Sequence, residues 1–244
     1  MGRAFELRKG RKLKRWSKMA KTFSRIGKDI VIAIKEGGPE PEANAKLRAV
    51  MQNAKAANMP KEIVDRAIKK AKDKDTSSYK EVTFEGYAPH GIAIMVETAT
   101  DNNNRTVAAV RAAFTKFNGN LGTNGSVEFM FERKCHFKIP MGELDPEELE
   151  FELIDAGIEE LFGEEPEEDA EDQTSTIMIY GPFESFGSIQ KELESRGLEI
   201  LESGYERIPT TTTKLTEEQE AEVDKLLERL EEDDDVMNVY HTMG

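Results

Sequence analysis

The chain has 244 residues, 38% of them hydrophobic and 34% charged, with a formal net charge of −14; at about 100–200 residues per domain, that length predicts one large or two to three small domains. No apolar run reaches the roughly 18 residues of a membrane span, the opening Met-Gly-Arg-Ala-Phe-Glu lacks the apolar segment of a secretory signal, and the single cysteine, Cys135, excludes an intrachain disulfide and a multi-cysteine zinc site, so a cytoplasmic protein is expected. The charge is segregated: residues 1–74 carry 21 Lys and Arg against 8 Asp and Glu, a net of +13, while the remainder carries 13 against 40, a net of −27, which predicts a basic module for a polyanion joined to an acidic body.

Residues 1–16 hold little that can build a core, and a mobile basic arm is expected there. A helix follows over about Lys18–Glu36, stopped by Gly37-Gly38 and Pro39. At 100° per residue Phe23, Ile26, Ile30 and Ile34 share one face, with Lys21, Arg25, Lys28 and Lys35 opposite. A second helix is read over Pro41–Ala57, with Leu47, Val50, Met51 and Ala54 on its apolar side. A third runs over Lys61–Lys72 behind Pro60, which suits a first helical position. Three helices with short connections predict a small bundle, and the polar stretch from Lys72 to Tyr79 reads as a linker.

From there the apolar period changes to two. Strands are expected at Glu81–Tyr87 and Ile92–Thr98 around a turn at Ala88–Gly91. Asp101-Asn102-Asn103 caps a helix over Asn104–Phe117, Gly119–Gly125 forms a tight loop, and Ser126–Phe131 reads as a strand. Residues 135–208 then read strand Cys135–Ile139, helix Pro146–Ala156, strand Ile158–Phe162, an acidic loop, strand Thr176–Tyr180, helix Phe183–Arg196 and strand Leu198–Tyr205. That is the β-α-β-β-α-β order of ferredoxin-like domains. The tail adds a helix over Thr216–Glu231 and a strand over Val236–Tyr240. Because residues 79–133 supply only β-β-α-β, the tail is expected to complete them. The expected class is therefore α+β: a three-helix bundle over 1–76, a middle sandwich over 77–134 plus 209–244, and a ferredoxin-like domain inserted over 135–208.

The motifs Ala56-Ala57-Asn58-Met59-Pro60-Lys61, Phe84-Glu85-Gly86-Tyr87, Thr100-Asp101-Asn102-Asn103-Asn104-Arg105-Thr106, Gly119-Asn120-Leu121-Gly122-Thr123 and Val239-Tyr240-His241 stand in an order and spacing that resemble the YebC/PmpR family. A mitochondrial relative of that family is the translational activator of cytochrome c oxidase. The resemblance covers about Lys18 to His241. It implies three domains around a cleft, cytoplasmic location, no catalytic activity, and roles described as DNA-binding transcriptional regulation or ribosome-associated translation. The family's opening Gly-His-Ser-Lys-Trp is replaced here by Arg8-Lys9-Gly10-Arg11-Lys12 and a later Trp16.

Eleven Lys and Arg against one acid between Arg3 and Lys28 point to phosphate contacts by Arg8, Lys9, Arg11, Lys12, Lys14, Arg15, Lys18, Lys21, Arg25 and Lys28. Phosphate contacts position a protein without reading bases. Asn103, Asn104 and Arg105 have two readings. They either serve as part of a helix cap or present donors to an anion or partner at a helix N-terminus. Gly119–Gly125 lacks the phosphate-loop pattern, and the acidic runs lack calcium-loop spacing. No nucleophile motif surrounds Cys135 and the three histidines are scattered, so no enzyme, metal or cofactor is expected. DNA and ribosomal RNA share the phosphate chemistry, which leaves a DNA-binding transcriptional regulator and a ribosome-associated translation factor as alternatives. Membrane binding by the first helix is disfavoured, since the bundle consumes its apolar face.

Overall fold

The computed structural model describes the backbone of residues 3–72, 79–166 and 174–244, with side chains described from Met19 onward. The expected linker and the centre of the acidic loop lie largely outside these residues. The described chain divides into two units, one of residues up to Lys80 together with Ala99–Asp101, the other of the remainder.

The first unit is helical. α1 runs from Arg3 to Gly37, α2 from Ala45 to Ala56 and α3 from Lys61 to Lys72. The expected mobile arm is therefore helical backbone from Arg3. Arg3–Trp16 contains no proline and is rich in Leu, Lys and Arg, all good helix formers. Asn44 ties the bundle together: its Oδ1 accepts from Leu47 N at 3.0 Å as the N-cap of α2, and its Nδ2 donates to Ala33 O at 2.7 Å and Gly38 O at 2.9 Å. A Cβ on Gly37 would stand 2.6 Å from that amide, so glycine is required at the corner. Asn58, at φ 53°, ends α2 in the left-handed region, and Met59 N reaches back to Ala54 O at 2.9 Å. Met59 is thereby buried in the bundle core with Ile30, Leu47 and Ala67.

The second unit holds two four-stranded sheets. The first has the order β3-β1-β2-β8, from β1 (Lys80–Tyr87), β2 (Ala93–Thr100), β3 (Asn120–Leu121) and β8 (Val236–His241). α4 (Asn103–Lys116) and α7 (Glu217–Glu231) cover one face, enclosing Ile94, Val96, Val110, Phe114, Val223, Leu226 and Leu230. Ala93 and Met95 pack with Val127 and Phe131 on the other face, so β2 is buried on both sides. From the tail, β8 pairs antiparallel with β2 in the register Val96↔Val239.

The second sheet is built from the chain between these parts, in the order β5-β6-β4-β7. Its elements are β4 (Phe131–Pro140), α5 (Pro146–Leu153), β5 (Glu160–Glu164), β6 (Thr176–Pro182), α6 (Phe186–Ser195) and β7 (Glu202–Pro209), the ferredoxin-like order. The insertion leaves and returns at one neck, where Phe131 pairs with Pro209 and Thr210 N donates to Met130 O at 2.9 Å. A polar junction joins the two sheets: Glu97 on β2 meets Arg207 Nε at 2.9 Å, and Tyr240 Oη donates to Tyr205 O at 3.4 Å.

Two expected strands are corrected. Ser126–Phe131 is not a strand; Glu128–Met130 is a 3-10 turn and β4 starts at Phe131. The cause is Glu85, 5% exposed, whose carboxylate accepts from Gly125 N at 2.6 Å, Val127 N at 2.7 Å and Glu128 N at 2.9 Å. Those donors are unavailable to a ladder. The last ferredoxin-like strand starts at Glu202 rather than Leu198. Gly197, at φ 70°, ends α6, Leu198 N returns to Leu193 O, and pairing with β4 begins at Lys138↔Glu202.

Candidate nucleic-acid interface

Arg8, Lys9, Arg11, Lys12, Lys14, Arg15 and Lys18 all lie on the helical backbone of α1, and their side chains fall outside the described residues. Seven cations on one uninterrupted helix place positive charge along its length, whichever way each side chain turns. Lys21 and Arg25 follow on α1 and are half-buried.

Lys28 departs from the expected cationic face. It is 8% exposed, donates to Ala99 O at 2.8 Å, and its ammonium stands 5.3 Å from the centre of the Tyr79 ring. Ile30, Val31, Ile32, Ala33 and Ile34 are all buried, so this stretch of α1 has no solvent side, and only beyond it do Lys35 and Glu36 become exposed. The run of five apolar residues carried that signal, because a helix apolar all round is enclosed. Lys28 therefore serves the packing of its unit, satisfied by a carbonyl and an aromatic face.

Sequence reasoning placed the helix α3 but left its cations out of the candidate contacts. Ala67 and Ala71 are buried, whereas Lys61, Arg66, Lys69, Lys70 and Lys72 are exposed. Lys69, Lys70 and Lys72 sit in the last turn, where cations complement the helix dipole. Lys70 is partly engaged, donating to Tyr79 Oη at 2.8 Å. The concentration of basic residues at one helix end was visible in the sequence.

The Asn102–Thr106 turn is structural in large part. Asn102 Oδ1 accepts from Arg105 N at 3.2 Å and caps α4. Arg105 Nη2 meets Asp235 Oδ2 at 2.6 Å, and Thr106 Oγ1 donates to the same oxygen at 2.8 Å. Asp235 is 6% exposed, so this pairing fastens α4 to the turn before β8. Asn103 and Asn104 are exposed in the first turn of α4. The structure thus separates the triplet: two free-standing amides and an arginine already committed to a carboxylate.

The groups with reactive chemistry are placed as follows. Cys135 is buried on β4 and burial pushes its thiol up to about 11. His90 Nε2 stands 2.8 Å from Glu222, and His136 lies 3.8 Å from Glu202. The neighbouring His136 imidazole holds the Glu202 carboxyl below its ordinary range. Among the described residues no three His, Cys, Asp or Glu side chains gather to hold a metal, and no helix is long and apolar enough to cross a membrane.

Family models match nearly the whole chain: the N-terminal domain of TACO1/YebC proteins over residues 3–74, and the second and third domains over 79–243. The chain belongs to the TACO1/YebC family. It is 68% identical over 243 residues to a "Probable transcriptional regulatory protein" of Flavobacterium psychrophilum, an alignment covering 100% of this chain and 99% of the relative. It is 54% identical to a protein of the same description from Parabacteroides distasonis, covering 100% of this chain and 97% of that one. A crystal structure of a conserved hypothetical protein from Aquifex aeolicus superposes with a TM-score of 0.78 at 39% identity, covering 92% of this chain and 90% of the other. Within the TACO1/YebC frame, several motifs of the sequence gain structural reasons. Asn58 and Met59 close α2, Glu85 holds the glycine loop, and Asn102 caps α4. Gly86 leaves room for Asn120 O, which a Cβ would meet at 2.6 Å.

Proposed function

We propose that this chain is a nucleic-acid-binding regulatory protein acting on DNA in the cytoplasm, without catalysis of its own. It is organised as a basic helical module over 1–76, a middle body over 77–134 and 209–244, and an inserted module over 135–208. The observation that carries the reading is the charge segregation: +13 in the first 74 residues against −27 in the rest. A polyanion is drawn to the basic segment and repelled by the acidic remainder. Helix α1 carries the largest share of the contacts, with the exposed cations of α3 beside it in the same unit. The relatives' description as transcriptional regulatory proteins supports DNA as the polyanion.

Binding through phosphates weakens with salt as counterions are released. The full-length protein is expected to retain labelled duplex DNA at low salt and to lose it steeply as salt rises. Sedimentation with purified ribosomes, run in parallel, tests the second reading, in which the same basic module contacts ribosomal RNA. Co-sedimentation without DNA retention would replace the first reading with the second.

A further inference from the structure

The acidic unit contains one cationic surface that the charge argument does not use. α4 is the α-helix of that unit with no acidic residue, whereas α7, beside it on the same sheet, carries seven. α4 buries Thr106, Val110, Ala113 and Phe114 and turns Ala108, Arg111, Ala112, Thr115 and Lys116 to solvent. Among the described residues Arg111 and Lys116 have no acidic partner; Arg133, Lys191, Lys214 and Lys225 of the same unit also lack one, but α4 is the helix that sets two such cations on a face free of acids, whereas Arg105, Lys134, Lys138, Arg196 and Arg207 are each ion-paired. Lys116 instead lies 5.2 Å from the centre of the Phe117 ring, with its ammonium at the surface. Val107, Ala108, Arg111, Ala112, Thr115 and Lys116 line an open recess of about 610 Å³.

We infer that this outward face of α4 is a second phosphate-binding surface, taking the sugar-phosphate backbone of a nucleic acid. The inference rests on the reading under Proposed function. Arg111 supplies a planar fork of donors that matches phosphate oxygens, and Lys116, five residues on and lining the same recess, supplies a point charge. Ala108 and Ala112 place no long side chain between them, so a backbone can lie close to the helix. Thr115 adds a hydroxyl donor in the same row. Unpaired cations on a protein of net charge −14 sit at a high potential for an anion only where acids are absent, and α4 provides that strip. The acids of α7 bound it on one side.

The test compares full-length wild type with R111Q/K116Q by fluorescence anisotropy, on a labelled duplex DNA and a hairpin RNA of equal length, across a salt series. The double variant should bind the relevant polymer about tenfold more weakly at low salt, with a salt slope shallower by about two units. Its melting temperature should match wild type, because both residues are exposed. K225Q, on the exposed face of α7, should leave the slope unchanged. The polymer whose slope changes identifies which backbone reaches α4. If R111Q/K116Q keeps the wild-type slope on both polymers, α4 is a solvated face and the inference is overturned. If wild type binds neither polymer at low salt, the proposed function itself fails and the inference falls with it.

Discussion

The ammonium of Lys28 donates a 2.8 Å hydrogen bond to the carbonyl of Ala99, and this removes it from the cationic face that periodicity assigns to α1. Lys21 and Arg25 share that face by spacing but remain half-exposed. K28E should destabilise the protein by roughly 3 kcal/mol or more, because it buries an anion against a carbonyl oxygen. K21E/R25E should change stability by no more than about 0.5 kcal/mol per site while weakening DNA or RNA binding. Urea unfolding and salt-series binding measured on both variants check the division; equal effects on both readouts would contradict it.

Glu85 organises the loop between β3 and β4 through three backbone donors. Replacing its carboxylate by an amide leaves one former acceptor position filled by a donor group facing an N–H. E85Q should cost about 2–4 kcal/mol, the scale of losing charge-assisted bonds to buried N–H groups. Equilibrium unfolding measures the loss. Amide hydrogen exchange should report faster exchange at Gly125, Val127 and Glu128 before other sites respond.

Cys135 offers a chemical readout of burial. Its thiol is raised from 9.0 to about 11, so the protonated form is the one the fold prefers. Stability from this group is complete below the unfolded thiol's pKa and is lost as pH rises toward about 11. At pH 8 the thiolate fraction is about a hundredfold lower than in an unfolded chain. Iodoacetamide should therefore leave the native protein unlabelled at pH 8 and label it on unfolding in urea. Rapid native labelling would show that β4 opens locally.

The neck at Phe131 and Pro209 makes the insertion removable in principle. Excising Glu132–Ile208 and bridging the ends with a short Gly-Ser linker should leave a protein that still melts cooperatively. Deleting Thr210–Gly244 should abolish that melt, since Val223, Leu226 and Leu230 leave the core and β2 loses its partner β8. Circular dichroism melts of both deletions decide between insertion and a single continuous body.

Much of this architecture was legible in the chain because it is local. The boundaries of α3 follow from Pro60 and apolar spacing, α7 from its Thr216 cap and heptad-like leucines, and the ferredoxin-like order from alternation between periods of two and 3.6. The segregation of charge is likewise a property of sequence alone, and it marks residues 1–74 as the basic segment. What tertiary structure decided are the cases where a distant group competes for a donor, a carbonyl or a face. Glu85, some 40 residues away, turns an expected strand into a 3-10 turn. Ala99 claims Lys28 across 71 residues, and Asp235 claims Arg105 across 130. Periodicity assigns a side chain to a direction around its own helix axis. It contains no information about which partner, brought near by the rest of the chain, waits in that direction.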